Sequence, residues 1–169
     1  MKFNAAAYGR EVEQILTCGA PSLAALVAPA TPSAELKRAF SASLFADSTH
    51  PKGALAGLWL YFDCFDESHR VSQEDSSVEG SFWHGIAHRR EPDYGNAGYW
   101  FRRVGSHPIF PLIVARAGTG LGAKWDPLKF VDFCEEAAVK GGEPEAWALT
   151  VQRAEWEILF DYCARKRSV

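Results

Sequence analysis

Helical periodicity is the feature that most constrains how this chain can fold. Apolar residues recur at three- and four-residue spacing, and no stretch alternates as a half-buried strand would. Tyr8, Val12 and Leu16 share one helical face, and the same spacing returns in each later segment up to Tyr162. The sequence therefore predicts an all-α fold: a compact bundle of about seven or eight helices forming a single domain over residues 1–169, with no significant sheet.

Residues that cap and stop helices delimit three of these segments. Either Ser76 or Ser77, and likewise Asp93 and Asp126, can accept a hydrogen bond from a free N–H group in a first helical turn. Pro92 and the glycines at 105 and 141 stop the same helices. These signals predict one helix that begins after Ser76 or Ser77 and ends at Arg90 or Glu91, and two more over residues 94–104 and 127–140.

The first half of the chain carries weaker boundary signals. A helix should start near Ser33 and end before His50, because a residue that precedes proline avoids the α region. Another should run from Lys52 to Ser68, with apolar residues around most of its circumference, and should therefore be buried nearly all round. Residues 21–32 read as a connection, and residues 71–77 read as a loop.

Composition and charge exclude several classes of protein. With 169 residues, 47% of them hydrophobic and 23% charged, the chain can bury a core without a metal or a disulfide. A net charge of −3 supplies no basic field for nucleic acid, and no apolar run is long enough to span a membrane. Glu11 and Glu13 interrupt any signal peptide, and the four cysteines are widely spaced and expected to stay reduced. We therefore expect a cytoplasmic protein that binds neither nucleic acid nor membranes.

Residues capable of chemistry concentrate between Glu79 and His107. This stretch holds three of the five histidines, four of the eleven arginines and three carboxylates. It also carries six aromatic side chains, whereas the remainder of the chain reads as a helical scaffold. A functional site is therefore predicted here.

His84 and His88 form the first candidate constellation. At positions i and i+4 they project from one face of a helix, a spacing that suits two imidazoles bound to one divalent metal ion such as zinc. Gly85 stands where the HExxH motif of metalloproteases has a glutamate, so a metalloprotease is not supported. The same pair also fits a metal-free polar site, or a structural pair bonded to neighbouring carboxylates.

The arginine pairs Arg89-Arg90 and Arg102-Arg103 form the second constellation. Guanidinium groups suit carboxylate or phosphate ligands, so an arginine beside the histidines would make an anion site. The two side chains of a pair point about 100° apart on a helix, so one of each is expected to face inward. Alternatively, these arginines bond acidic side chains within the fold.

Asp63 and Glu155 lie inside apolar helical stripes and need partners if they are buried. They fit either structural ion pairs or carboxylates that ligate a metal or orient a histidine as a general base. His107 can cap the helix that follows it or return to the site as a third imidazole. The predicted catalytic residues are His84, His88 and Glu155, with His84 and His88 also as metal ligands; the predicted ligand-binding residues are Asp63, Glu79, Arg89, Asp93, Asn96, Trp100, Arg103 and His107.

The block over residues 79–108 reads EGSFWHGIAHRREPDYGNAGYWFRRVGSHP. It resembles a family of uncharacterised helical proteins from bacteria and fungi, and the resemblance extends to residues 125–127 and 152–157. The family carries no assigned activity, so the resemblance implies where a site lies and no chemistry.

Three classes of function follow from these residues. The first is a helical protein that binds a small polar or anionic molecule in a pocket of histidine, arginine and carboxylate. The second is a metal-dependent enzyme that uses His84 and His88. The third is a homo-oligomeric interaction domain whose aromatic segment forms the interface.

Overall fold

The computed structural model of the chain describes residues 3–18, 26, 40, 42–118, 120 and 122–167. Within them the fold is all-α, with eight α-helices and no sheet, which confirms the predicted fold class. The helices are α1 (Arg10–Cys18), α2 (Pro51–Tyr61), α3 (Phe65–Gln73), α4 (Val78–Arg90), α5 (Tyr94–Val104), α6 (Phe110–Ala117), α7 (Pro127–Lys140) and α8 (Gly142–Ala164), with short 3-10 helices at Ala5–Tyr8 and Ala42–Phe45.

The three helices with clear sequence boundaries form where they are predicted. The side chains of Ser77, Asp93 and Asp126 each accept a hydrogen bond from a backbone N–H two or three residues ahead, at the starts of α4, α5 and α7. Gly105 and Gly141 follow the ends of α5 and α7 with positive φ angles, as expected of glycine after a helix.

The single helix predicted over residues 52–68 is wrong. The chain turns after Tyr61, and residues 65–73, part of them predicted as a loop, form α3. Asp63 takes a left-handed φ of 55°, and its backbone N–H donates to the carbonyl of Leu60. Its carboxylate accepts a bond of 2.6 Å from the buried guanidinium of Arg90, which stabilises a conformation that aspartate tolerates better than most residues.

The helix predicted over residues 33–49 is wrong in the part that the structure describes. Residues 33–39 lie outside the described residues, and so does the predicted connection at 21–32 apart from Leu26. Residues 42–45 form a 3-10 turn, and the chain then runs irregularly to His50. The N–H groups of Thr49 and His50 donate to the carbonyls of Arg165 and Cys163 at the end of α8, so they are not available for a local helix.

Two helices, α2 and α4, lie at the centre of the described bundle. Twelve of the 13 residues of α4 are buried, and eight of the 11 residues of α2. The burial expected over residues 52–68 is therefore present in α2, whereas α3 buries only Ser68 and Ser72. Helix α4 packs against α2, α3 and α5, while α8 packs against α2, α6 and α7. Because α4 is about 20 Å long, side chains at its two ends belong to separate surroundings.

Candidate metal centre

Three imidazoles meet near the C-terminal end of α4. The rings of His84 and His88 are stacked with centroids 5.0 Å apart and an interplanar angle of 13°, on one face of α4 as predicted. His69 of α3 adds a third ring, edge-on, 4.3 Å from His84 and 5.1 Å from His88. One nitrogen from each residue lies within 4.8 Å of the other two, so the structure gathers three potential ligands.

His69 reaches the cluster because α3 packs against both α2 and α4. The hydroxyl of Ser68 donates to the carbonyl of Ala56 at 2.9 Å, which fixes one face of α3 against α2. His69 projects about 100° around the helix from Ser68, toward α4. Residues 74–77 connect α3 directly to α4, so the two helices are necessarily neighbours.

Burial favours the neutral form of the His84 and His88 imidazoles. The Nδ1 atoms of His84 and His88 are buried, and neither has a hydrogen-bond partner among the described residues. Burial, followed by repulsion from His69 and His88, lowers the pKa of His84 to about 3. Burial also lowers the pKa of His88. Unprotonated imidazole is the form that binds a metal ion.

Two carboxylates lie beside the outer edge of His88. Its Nδ1 atom is 3.6 Å from a carboxylate oxygen of Glu91 and 3.6 Å from one of Asp93. The amide of Asn96 donates to the same Asp93 oxygen at 2.7 Å and so holds it in place, which brings the predicted residues Asp93 and Asn96 to the cluster. Acceptors at Nδ1 favour a proton on that atom and leave the lone pair of Nε2 for a ligand, as in the carboxylate–histidine–metal arrangement.

Trp100 and Arg103 cover the other side of the cluster. The indole of Trp100 stacks on His84 with centroids 3.9 Å apart and an angle of 12°. The guanidinium of Arg103 lies over that indole, 5.3 Å from its centroid. Both residues were predicted as ligand-binding, and both lie in one stack with His84.

Four other charged residues form buried ion pairs away from the histidines. Arg89 bonds Glu155 at 2.5 Å, and Arg90 bonds Asp63 at 2.6 Å, with every side chain at most 5% exposed. The expectation that only one of Arg89 and Arg90 faces inward is wrong, because α4 is enclosed on nearly all sides. Three residues that were predicted to belong to the site are therefore members of internal ion pairs, and they do not line the cluster: Asp63, Arg89 and Glu155.

Glu79 and His107 lie at the opposite end of α4. Their side chains are 3.3 Å apart, and Nδ1 of His107 accepts the N–H of Ile109 at the start of the next helical turn. Glu79 is nine residues from His88, about 13 Å along the helix axis. His107 takes neither of the two roles considered for it: the residue that caps α6 is Ile109, with no side-chain cap bond, and His69 supplies the third imidazole of the cluster.

The cluster fits a tetrahedral metal ion. Zinc–nitrogen bonds of 2.0–2.1 Å place neighbouring ligand nitrogens about 3.4 Å apart, so small side-chain rotations would close a triangle whose longest side is at most 4.8 Å. In the part of the chain that the structure describes, no other group of three histidine, cysteine or acidic side chains meets this spacing. Three protein ligands leave the fourth position of a tetrahedral ion open.

His69 is the member of the cluster that the sequence did not reveal. It lies 15 positions before His84, a separation with no periodic meaning. The available signal was indirect: had α3 been recognised as a separate helix joined to α4 by a short loop, an inward-facing His69 would have been a candidate.

No protein-family model, curated protein or solved structure matches this chain. The resemblance of residues 79–108 to uncharacterised proteins stays a prediction and assigns no activity. Among the described helices, none combines the length and apolar character needed to cross a membrane.

Proposed function

We propose that this protein binds a divalent transition metal ion, with zinc the best fit, through His69, His84 and His88. The observation that carries the proposal is a group of three imidazoles from two helices, with one nitrogen of each ring within 4.8 Å of the other two. Nδ1 of His84 is buried without a hydrogen-bond partner among the described residues, which costs about 1–3 kcal/mol, and a metal ion bound to that atom would remove the cost. Imidazole nitrogen suits zinc, copper, nickel and iron, whereas magnesium and calcium prefer oxygen.

A small anionic or polar ligand at the open coordination position completes the proposal. Three neutral imidazoles leave the charge of a divalent ion uncompensated within its first coordination shell, and Arg103 adds a positive charge beside it. Arg103 makes no ion pair with the described residues, so its guanidinium is available to an anion. The reaction class supported by such a centre is hydrolysis, since a metal with an open position supplies a hydroxide near neutral pH.

The buried thiols support a reducing compartment such as the cytoplasm. Cys64, Cys134 and Cys163 are all buried and form no disulfide among the described residues. Thiols of this kind persist where cysteines are kept reduced.

Zinc titration of chelator-treated, tag-free protein tests the metal site. Calorimetry should give one zinc ion per chain, and His69→Ala or His84→Ala should each weaken binding by more than about 100-fold, because even outer partners of metal ligands are worth 10- to 100-fold. His50→Gln is the matched control, since it removes a histidine outside the cluster. Wild-type protein that takes up no zinc, or binding unaffected by both cluster variants, would refute the site.

The ligand is tested on the zinc-loaded protein with inorganic phosphate as the probe. Arg103→Gln should weaken phosphate binding by about tenfold, the value of one charge-assisted hydrogen bond. Arg102→Gln is the control, because the Arg102 guanidinium lies against Gly98 instead of the Trp100 indole. Equal phosphate affinity in both variants would remove Arg103 from the proposal and leave the metal site standing.

A further inference from the structure

A second constellation, free of the metal ligands, lies at the N-terminal end of α4. Glu79 stands between two imidazoles there, 3.3 Å from Nε2 of His107 and 3.4 Å from Nδ1 of His50. Each ring faces a different oxygen of the carboxylate. The three residues come from the start of α4, the residue before α2 and the loop before α6, so only the folded chain brings them together.

The tautomer of His107 is fixed by its surroundings. Its Nδ1 atom accepts the backbone N–H of Ile109, so the proton of the neutral ring is on Nε2 and is directed at Glu79. The ring is 4% exposed and therefore has no further partner in solvent. The hydrogen bond from His107 is also the main reason that the pKa of Glu79 is lowered, which keeps this buried side chain an ionised carboxylate.

His50 is held with one nitrogen toward the carboxylate and the other free. Its backbone N–H donates to the carbonyl of Cys163, and its ring stacks on Tyr162 at 5.4 Å with an angle of 16°. Glu79 favours a proton on Nδ1 of His50 and leaves the lone pair on Nε2. The side chain keeps 28% of its surface exposed, and no described residue bonds Nε2.

We propose that His50 is a nucleophilic histidine, oriented by Glu79, that accepts an acyl group from small activated carbonyl compounds. In acyl-transfer enzymes of the Ser-His-Asp type, a carboxylate bonded to Nδ1 holds the imidazole in the tautomer and orientation that leave the lone pair of Nε2 available. The contact between Glu79 and Nδ1 of His50 has the same arrangement, and here the lone pair faces no serine among the described residues. Glu79 and His107 are positioning residues, because both are buried and neither reaches the reacting atom. The metal centre takes no part, since it lies at the other end of α4.

The reaction balances without any oxidant or metal. The lone pair of Nε2 forms a bond to the carbonyl carbon, and the bond to the leaving group breaks with its electron pair, which takes up a proton from solvent. The acyl-imidazolium shares its Nδ1 proton with Glu79. Water then attacks the acyl carbon, its bond to Nε2 breaks with the electron pair returning to the imidazole, and a carboxylic acid leaves while the second proton of the water passes to solvent.

Acylation of metal-free protein at neutral pH tests the proposal, with p-nitrophenyl acetate and diethyl pyrocarbonate as the probes. Peptide mass spectrometry gives the rate at each histidine. His50 should react at least about tenfold faster than the same histidine in a peptide of residues 46–55, and Glu79→Gln should remove that advantage, because carboxylate partners of histidines are worth 10- to 100-fold. His50→Gln should abolish the adduct.

Two comparisons separate orientation from general structural damage. Glu74→Gln removes an exposed acid near the same surface and should leave the His50 rate unchanged. His69, which is half-buried, serves as an internal reference whose rate should be the same in wild type and Glu79→Gln. A native His50 no more reactive than the peptide overturns the proposal, and this result does not depend on whether any variant folds.

Discussion

At the scale of single residues, Arg89 and Glu155 show how a charged side chain of α4 is accommodated within an apolar core. The guanidinium bonds the carboxylate at 2.5 Å and lies 4.5 Å from the centre of the Phe130 ring, where the ring face attracts a cation. Burial raises the pKa of Glu155, and the charge of Arg89 opposes that effect. Neither residue can lose its partner without leaving a charge in a low-dielectric interior.

Removing one partner of this pair should therefore be costly. Glu155→Gln should lower the free energy of unfolding by about 3–5 kcal/mol, measured by urea denaturation of metal-free protein. The control is Glu136→Gln, whose Lys140 partner and own side chain are 62% and 66% exposed, and which should cost less than about 0.5 kcal/mol. Replacing both partners, as Arg89→Met with Glu155→Leu, should recover most of the loss; similar effects for Glu155 and Glu136 would contradict this account.

At the scale of helices, the close crossing of α2 and α4 depends on Gly57, a residue without a side chain. A Cβ atom at Gly57 would lie 2.6 Å from the indole of Trp83, closer than real Cβ atoms approach. The indole nitrogen of Trp156 also donates to the Gly57 carbonyl at 2.8 Å, which fixes α8 at the same crossing. The central position of α4 thus follows from one small residue on α2.

Gly57→Ala should separate the two helices. We expect a loss of about 1–3 kcal/mol in unfolding free energy, because Trp83 is fully buried and cannot move aside. Gly95→Ala in α5 is the matched control: its added Cβ would meet nothing nearer than 4.0 Å and should gain up to about 1 kcal/mol from helix propensity. A stabilising Gly57→Ala would show that the crossing is not close-packed.

Helix ends that are fixed by hydrogen bonds to neighbouring residues could be predicted from the sequence. Helix ends that are fixed by hydrogen bonds to residues far away in the sequence could not. The caps Ser77, Asp93 and Asp126 bond N–H groups within three residues, so α4, α5 and α7 follow from local sequence. The turn at Asp63 depends on an arginine 27 positions away. The irregular chain before His50 depends on carbonyls more than 110 positions away, which no local pattern encodes.

At the scale of the whole molecule, residues close in sequence separate into two sites. The pair His84 and His88 could be predicted, because helical spacing alone puts them on one face. Glu79 and His107 belong to the same sequence block, but α4 places them at its other end. His69 joins from a helix outside the block, so concentration of reactive residues in the sequence was a partial guide to their proximity in space.

Acid sensitivity of the metal-free protein should report on the buried histidines. Burial lowers the pKa of His84 from 6.5 to about 3, so between these values the unfolded chain binds a proton that the folded chain does not. Stability is therefore lost as pH falls from about 6.5 toward 3, with a slope of up to about 1.4 kcal/mol per pH unit for each such histidine.

Urea denaturation at pH 7, 6 and 5 measures this slope above the range where carboxylates titrate. His84→Gln should flatten it, because one of the two histidines with lowered pKa is then absent. His50→Gln, which removes a histidine whose ring is partly exposed, is the comparison. The same slope in wild type and His84→Gln would show that His84 titrates normally in the folded protein.

The different burial of α3 and α4 bears on how fast a bound metal would be released. Helix α4 has water on almost none of its surface, so the histidines it carries leave their places only when the whole bundle opens. Helix α3 fully buries only Ser68 and Ser72, so its local opening exposes less of the core than the opening of α4 would. Exchange of a bound ion would then follow local opening of α3, which is more frequent than global unfolding. A tightly bound metal would therefore still be released when the helix that carries His69 opens.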